Sequence, residues 1–348
     1  SYILSYFSSN FGSYSYVVSK SQQHLIDLQI DKNKLDYNFW ILEQEINNID
    51  DFNFEQAEKL YRIIFKPAEK YISENATVYL YDSPLIKVPL SILVKDYNQS
   101  EQNLTKKIIT ADWLVDDYAF AKIIPVESSK TEVFENNYLG LANANSYEYL
   151  GNLPRLKASE KEVQQLAQSS MGTKDDVLIS KDATKEKLLE KLNTSYKKIV
   201  LATHTVPEFW EGVIDQASLV LGSNKGDYFL TSKEISRLEF KTDMLVLSAC
   251  GGNKEYTELF RSFLQAGSNS IVHTNWDLES KFASEFTVDF FNNLWLYGES
   301  NKHIAIQKTA KNFLNNYSNE IYVHPSFWGN YSIAYKTLPS FTIQAAES

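Results

Sequence analysis

The chain has 348 residues, 43% hydrophobic and 22% charged, with a formal net charge of −10; it is long enough for two domains or one large one, and too apolar for wholesale disorder. The acidic balance argues against direct binding of nucleic acid or an anionic membrane, and a single cysteine excludes an internal disulfide and any multi-cysteine metal centre. The lone thiol fits a reducing, cytoplasmic setting, no apolar run is long enough for a membrane span, SYILSYFSSN lacks the parts of a signal peptide, and the missing initial Met suggests a piece of a longer protein.

In chain order, Tyr14 to Val18 and Leu25 to Ile30 are β-rich runs joined by the polar SKSQQ, which predicts a hairpin. Helical periodicity follows over Asp36 to Asn47 and Asn53 to Phe65, then a short strand over Ala76 to Tyr81. The polar segment from Asn98 to Lys130 carries a domain junction near its end, giving expected domains of 1–130 and 131–348. Beyond it the pattern is regular. Strands are expected over Asn137 to Ala142, Val177 to Ser180, Lys198 to His204, Asp243 to Cys250, Ser270 to Trp276 and Gly329 to Tyr335. Helices are expected from Ser159 (a capping box with Glu162) to Gln168, from an Asp182 N-cap to Leu192, over Glu255 to Ala266 closed by Gly267, and over Glu279 to Tyr297 and Lys302 to Tyr317. Such alternation implies an α/β fold with a mostly parallel sheet covered on both faces.

In open α/β sheets, ligands bind beyond the carboxyl ends of the strands. The two most reactive side-chain types lie there: KKIVLAT leads to His204 and DMLVLSA to Cys250. A thiol needs a base or a positive neighbour to become a thiolate near neutral pH, and an imidazole supplies one, then protonates a leaving amine. Ser248-Ala249-Cys250-Gly251-Gly252 departs only at its first position from the caspase signature Q-A-C-[RQG]-G, and His204 lies 46 residues upstream of Cys250. Gly251 and Gly252 leave room for a substrate backbone.

The strings LATHT, LVLSACGG, FLQAGSNSIVHTNWDLES and HPSFWGNYSIAY, with the earlier YLYDSPLIKVPLSIL, resemble the CHAT domain, a bacterial relative of caspases and separase. The resemblance implies a caspase-like three-layer αβα half at 131–348 preceded by a degenerate caspase-like half, no cofactor and no metal. It also implies a protein or peptide substrate, and an N-terminal TPR region or activating partner, without which activity is expected to be weak. By position it makes Cys250 the nucleophile and His204 the general base. The backbone N–H groups of Cys250 and Thr205 become oxyanion donors, and Gly251, Trp276 and Asp277 lie on the substrate side.

Each residue also has a plainer reading. Free cysteine is often buried in a core. Asp277 is either an acid that receives a basic P1 side chain or an N-cap for the helix near Glu279; Trp276 either walls that pocket or packs. His24, His273, His303 and His324 read as structural or surface residues. Thr205 stands where relatives carry glycine, and threonine disfavours positive φ, so a catalytically silent scaffold that binds a partner competes with the peptidase. A nucleotide-binding domain lacks any phosphate loop.

Overall fold

The computed structural model describes residues 1–9, 11–126, 133–145, 153–169, 175–208, 210, 212, 214–248, 257–298, 300–316 and 320–337. The chain divides into two compact units. One is built from Ser1–Ile123 and Asn293–Ser332, the other from Ile124–Asn292 and Ile333–Thr337.

The first unit has a sheet of β1 (Tyr2–Ser9), β2 (Gly12–Val18), β3 (Gln23–Asp27), β4 (Thr77–Tyr81) and β5 (Ala119–Ile123), in the order β3-β2-β1-β4-β5. The β1/β2 and β2/β3 pairs are antiparallel, and β1/β4 and β4/β5 are parallel. The predicted hairpin is β2–β3, its turn closed by Ser19 N–H to Gln22 O at 2.8 Å. Helix α1 (Lys32–Glu45) starts where Asp31 accepts from Lys34 N–H at 2.9 Å, and α2 (Phe54–Leu60) where Asn53 accepts from Gln56 N–H at 2.9 Å, the side-chain caps that free first-turn amides need. Trp113 and Trp328 meet edge to face in the core, 5.2 Å between centroids.

The second unit has a larger sheet of β6 (Asn136–Ala142), β7 (Asp175–Ile179), β8 (Tyr196–Ala202), β12 (Thr242–Leu247), β13 (Ser270–Thr274) and β14 (Tyr331–Tyr335, which belongs to this unit from Ile333 on). Their order is β14-β13-β12-β8-β6-β7, and the pairs β12/β13, β8/β12, β6/β8 and β6/β7 are parallel. Leu139, Leu201, Leu247 and Ile271 send side chains into one core with Phe260 and Phe263 of the helix Thr257–Ala266. Strands buried on both faces read as apolar runs rather than alternations, which is why LVL and SIV were legible. Three further strands, β9 (His204–Val206), β10 (Ser218–Val220) and β11 (Phe229–Thr231), form a separate small antiparallel sheet. The α/β expectation holds.

Local details differ. Helix α3 (Ser159–Ser169) starts at the expected place, but no capping box forms: Glu162 N–H bonds the Ala158 carbonyl at 3.0 Å, and the Glu162 side chain instead reaches Ser248 and Thr287. Asp182 is not the cap of α4 (Lys185–Lys191); Thr184 is, because Ser180–Asp182 forms a tight 3₁₀ turn with Ser180 at φ 51° and delays the helix. Helix α5 (Thr257–Ala266) ends at Gly267 as expected, with φ 134°. Helix α6 (Ser280–Tyr297) follows β13. Among the described residues no helix is long and apolar enough to cross a membrane.

Candidate active site

Strands β8 and β12 run side by side with Leu201 beside Leu247, and Ser248 N–H continues the ladder to Leu201 O at 3.0 Å. The chain leaving β8 toward His204 and the chain leaving β12 toward Cys250 therefore depart together from the carboxyl end of the sheet. Cys250 and Gly251 themselves lie outside the described residues.

His204 does not end the apolar strand. β8 stops at Ala202, and after Thr203 the histidine opens β9, paired across from Val220 of β10. Two fully buried side chains fix this step: Asn143 Nδ2 donates to Val220 O at 2.8 Å, and Thr203 Oγ1 donates to the same oxygen. Asn143 N–H in turn reaches Ala202 O at 3.0 Å. Leu153, Val206 and Val220 make a small apolar cluster on this sheet, with Trp210, Ile214 and Phe229 against it. Lys185 ties β11 down from α4, 2.6 Å from Phe229 O and within 2.8 Å of Asp227 and Glu234.

Burying Leu153 places the next carbonyl, that of Pro154, 2.6 Å from His204 Nε2. A carbonyl oxygen only accepts, so Nε2 bears the hydrogen and the neutral ring keeps its lone pair on Nδ1. The imidazole is 4% exposed. Burial lowers its pKa below the ordinary 6.5, partly opposed by the Pro154 carbonyl and by the charge of Asp277, so the ring is neutral at pH 7 with its basic nitrogen available.

Thr205 is buried in β9 and pairs with Leu219. Among the described residues only Gln29, Asn75 and Ser180 are non-glycine residues with positive φ, so Thr205 carries no left-handed strain. Asp277 is exposed yet acts on His204 through its charge. It is not a helix cap, since α6 begins at Ser280 and Glu279 O accepts the Ala283 N–H at 3.0 Å. Trp276 is half-buried in the same connection. Thus His204, Thr205 and Asp277 share one region.

The other histidines have structural surroundings. His273 stacks on Phe260 at 4.1 Å, His324 caps Pro325–Trp328 and binds Asp51 O at 3.0 Å, burial pushes His303 down to about 4, and His24 stacks on Tyr71. Sequence reasoning missed Pro154 and Asn143. The first acts through a backbone oxygen, which has no side-chain signature; the second had one, a polar residue directly after an apolar strand.

Replacing Asp277 with asparagine removes an attractive charge from the imidazolium, so the NMR titration midpoint of His204 is expected to fall by about half a pH unit. No change or a rise would take Asp277 out of the field of His204.

The sequence model of the CHAT domain family matches residues 55–336. No curated protein matches the chain. Among solved structures, separase from Saccharomyces cerevisiae, in its complex with securin, is similar with a TM-score of 0.53 at 10% identity, over 96% of this chain and 30% of the separase chain. The chain therefore spans under a third of that relative, and at this identity the likeness is one of fold. The pro- and mature domains of RgpB from Porphyromonas gingivalis align with a TM-score of 0.46 at 10% identity, over 84% of this chain and 70% of that one.

Proposed function

The chain belongs to the CHAT domain family, and we propose that it is a cysteine endopeptidase with Cys250 as nucleophile and His204 as general base. The observation that carries this reading is the hydrogen bond from His204 Nε2–H to Pro154 O, which leaves a buried, neutral ring with Nδ1 as its acceptor at the end of the sheet from which the Cys250 strand also departs.

In this mechanism Nδ1 takes the thiol proton and the sulfur attacks the scissile carbonyl carbon. The oxyanion is held by the backbone N–H groups of Cys250 and Thr205. The imidazolium, stabilised by Pro154 O and Asp277, returns its proton to the departing amine as the C–N bond breaks. Water, deprotonated by the same ring, then hydrolyses the thioester. Gly251 and Trp276 would line the approach of the substrate, and the exposed charge of Asp277 suits a basic residue before the scissile bond.

The competing reading, a silent scaffold, rested on threonine at position 205, and its negative φ removes strain as the reason for a malformed site. The separase of known structure is in complex with securin; by analogy a protein partner, or a repeat region ahead of this chain, is proposed to switch this site on. The test is a Cys250→Ala variant on peptide libraries and candidate proteins, with the parent alone and with an activator. Cleavage by the variant at the parent rate would refute the assignment.

A further inference from the structure

The small sheet carries one row of residues in register across its three strands: Phe229 of β11 stands opposite Val220 of β10, and Val220 opposite His204 of β9. Each member is held by a group from outside its own strand. Pro154 O binds His204 Nε2 at 2.6 Å, Asn143 and Thr203 both donate to Val220 O, and Lys185 Nζ donates to Phe229 O at 2.6 Å. All of these residues lie within the second unit.

The outermost hold is the one that most needs a side chain. Tyr228 O accepts the Leu221 N–H at 2.8 Å, and carbonyls alternate sides along a strand, so Phe229 O points away from β10 to the open edge of the sheet. An edge carbonyl has no neighbouring strand to bond it, and Lys185 of α4 takes that place. The backbone brings the lysine there: Lys185 N–H bonds Gly222 O at 2.8 Å, and Gly222 N–H bonds Ala183 O at 2.9 Å. A Cβ at position 222 would fall 2.7 Å from Ala183 O, so glycine permits the approach.

A lysine ammonium has three hydrogens, and this one has three acceptors: Asp227 at 2.6 Å, Phe229 O, and Glu234 at 2.8 Å. The Lys185 side chain is buried, whereas the two carboxylates reach water. Burial opposes its charge, but Asp227 and Glu234 together outweigh that and hold its pKa above the usual lysine value. A buried ion pair adds little net stability over an apolar residue. Three directed bonds, however, fix a strand at one point, which an apolar stem does not.

We infer that Lys185 is a positioning residue for His204: it pins Phe229, the far end of the row, so that Val220 and then the imidazole keep their register. That this serves catalysis rests on the peptidase reading; that it holds the histidine does not.

The test follows His204 by NMR in protein labelled at its histidine rings. Lys185→Met keeps an apolar stem and removes the donor. The His204 Nε2–H signal, visible while it is bonded to Pro154 O, is expected to disappear. The titration midpoint of the ring should rise toward 6.5 as burial is lost, while the other histidines stay unmoved. Lys191→Met is the control: it removes a lysine of the same helix that pairs with Asp176 at 2.7 Å, outside the row, and should leave His204 as in the parent. A role in stability alone would move His204 in both variants or in neither, and either pattern overturns the inference. If Lys185→Met does not fold, Asp227→Ala combined with Glu234→Gln decides. Glu234 also accepts the Thr231 N–H at 2.9 Å as the cap of the helical turn at Ser232. Glutamine keeps that bond with its one oxygen and turns its NH₂ toward Lys185, so the ammonium leaves for water and Phe229 O is released. An unmoved His204 in that variant overturns the inference. On a cleaved peptide, Lys185→Met should lower kcat about tenfold or more at unchanged KM. A moved histidine in a protein that cleaves nothing sinks the peptidase reading alone; cleavage with an unmoved histidine sinks this inference alone.

Discussion

Replacing His204 with glutamine should lower kcat/KM by about 10²–10⁴-fold, the usual worth of a positioned general base. Glutamine can still donate to Pro154 O, so the variant keeps the anchor and loses only the base. Without the base the Cys250 thiol should be less nucleophilic, visible as slower alkylation at pH 7. In the parent the neutral ring is the competent form, and burial lowers its pKa from 6.5. Activity should therefore persist as the pH falls to 6.5 and be lost below it, through the lowered folded-state pKa. A variant retaining more than about a tenth of the parent kcat/KM would assign the base to another group.

Gly267→Ala should cost about 3 kcal/mol or more in a denaturant titration. Two effects combine there. The φ of 134° is unsuited to a side chain, and a Cβ would fall 1.7 Å from the Phe240 carbonyl oxygen, a backbone atom that cannot rotate away. That carbonyl belongs to the segment leading into β12, whose Phe240 N–H is bonded to Ala266 O at 3.0 Å. Relief of the clash would have to move the strand that leads to Cys250, so thiol reactivity should change along with stability. A loss under about 1 kcal/mol would mean the two segments separate easily.

How much of this was legible follows from the range of each interaction. The strands β6, β8, β12 and β13 announced themselves because burial on both faces makes an apolar run. Gly267 was legible because a helix end needs a particular backbone conformation. The Ser159–Glu162 spacing was a correct local pattern overridden by distant partners: Ser248 and Thr287 draw the carboxyl inward, and no spacing rule foresees a residue 86 positions away. Asp182 lost the cap to Thr184 because the turn at Ser180 displaced the helix by one short step. The small sheet β9–β11 was invisible because strands of three residues give no period to detect. For the same reason His204 looked like a strand end, although it starts the next strand. Pro154 contributes an oxygen that every residue possesses, and only the fold singles it out.

The Val220 carbonyl, which receives both Asn143 and Thr203, has a consequence for how the protein breathes. Peeling β10 away would strand two buried donors at once, each costing about 1–3 kcal/mol if unsatisfied. The small sheet is thus latched to the ends of β6 and β8 and should open with them as one cooperative block. Deuterium exchange should show the amides of β9 and β10 protected to the level of β8, with no separate fraying of the short strands. An activator that loosened only a surface loop would leave that block shut and His204 in place; one that shifted the histidine would have to unlatch Val220, and the exchange of both sheets would rise together.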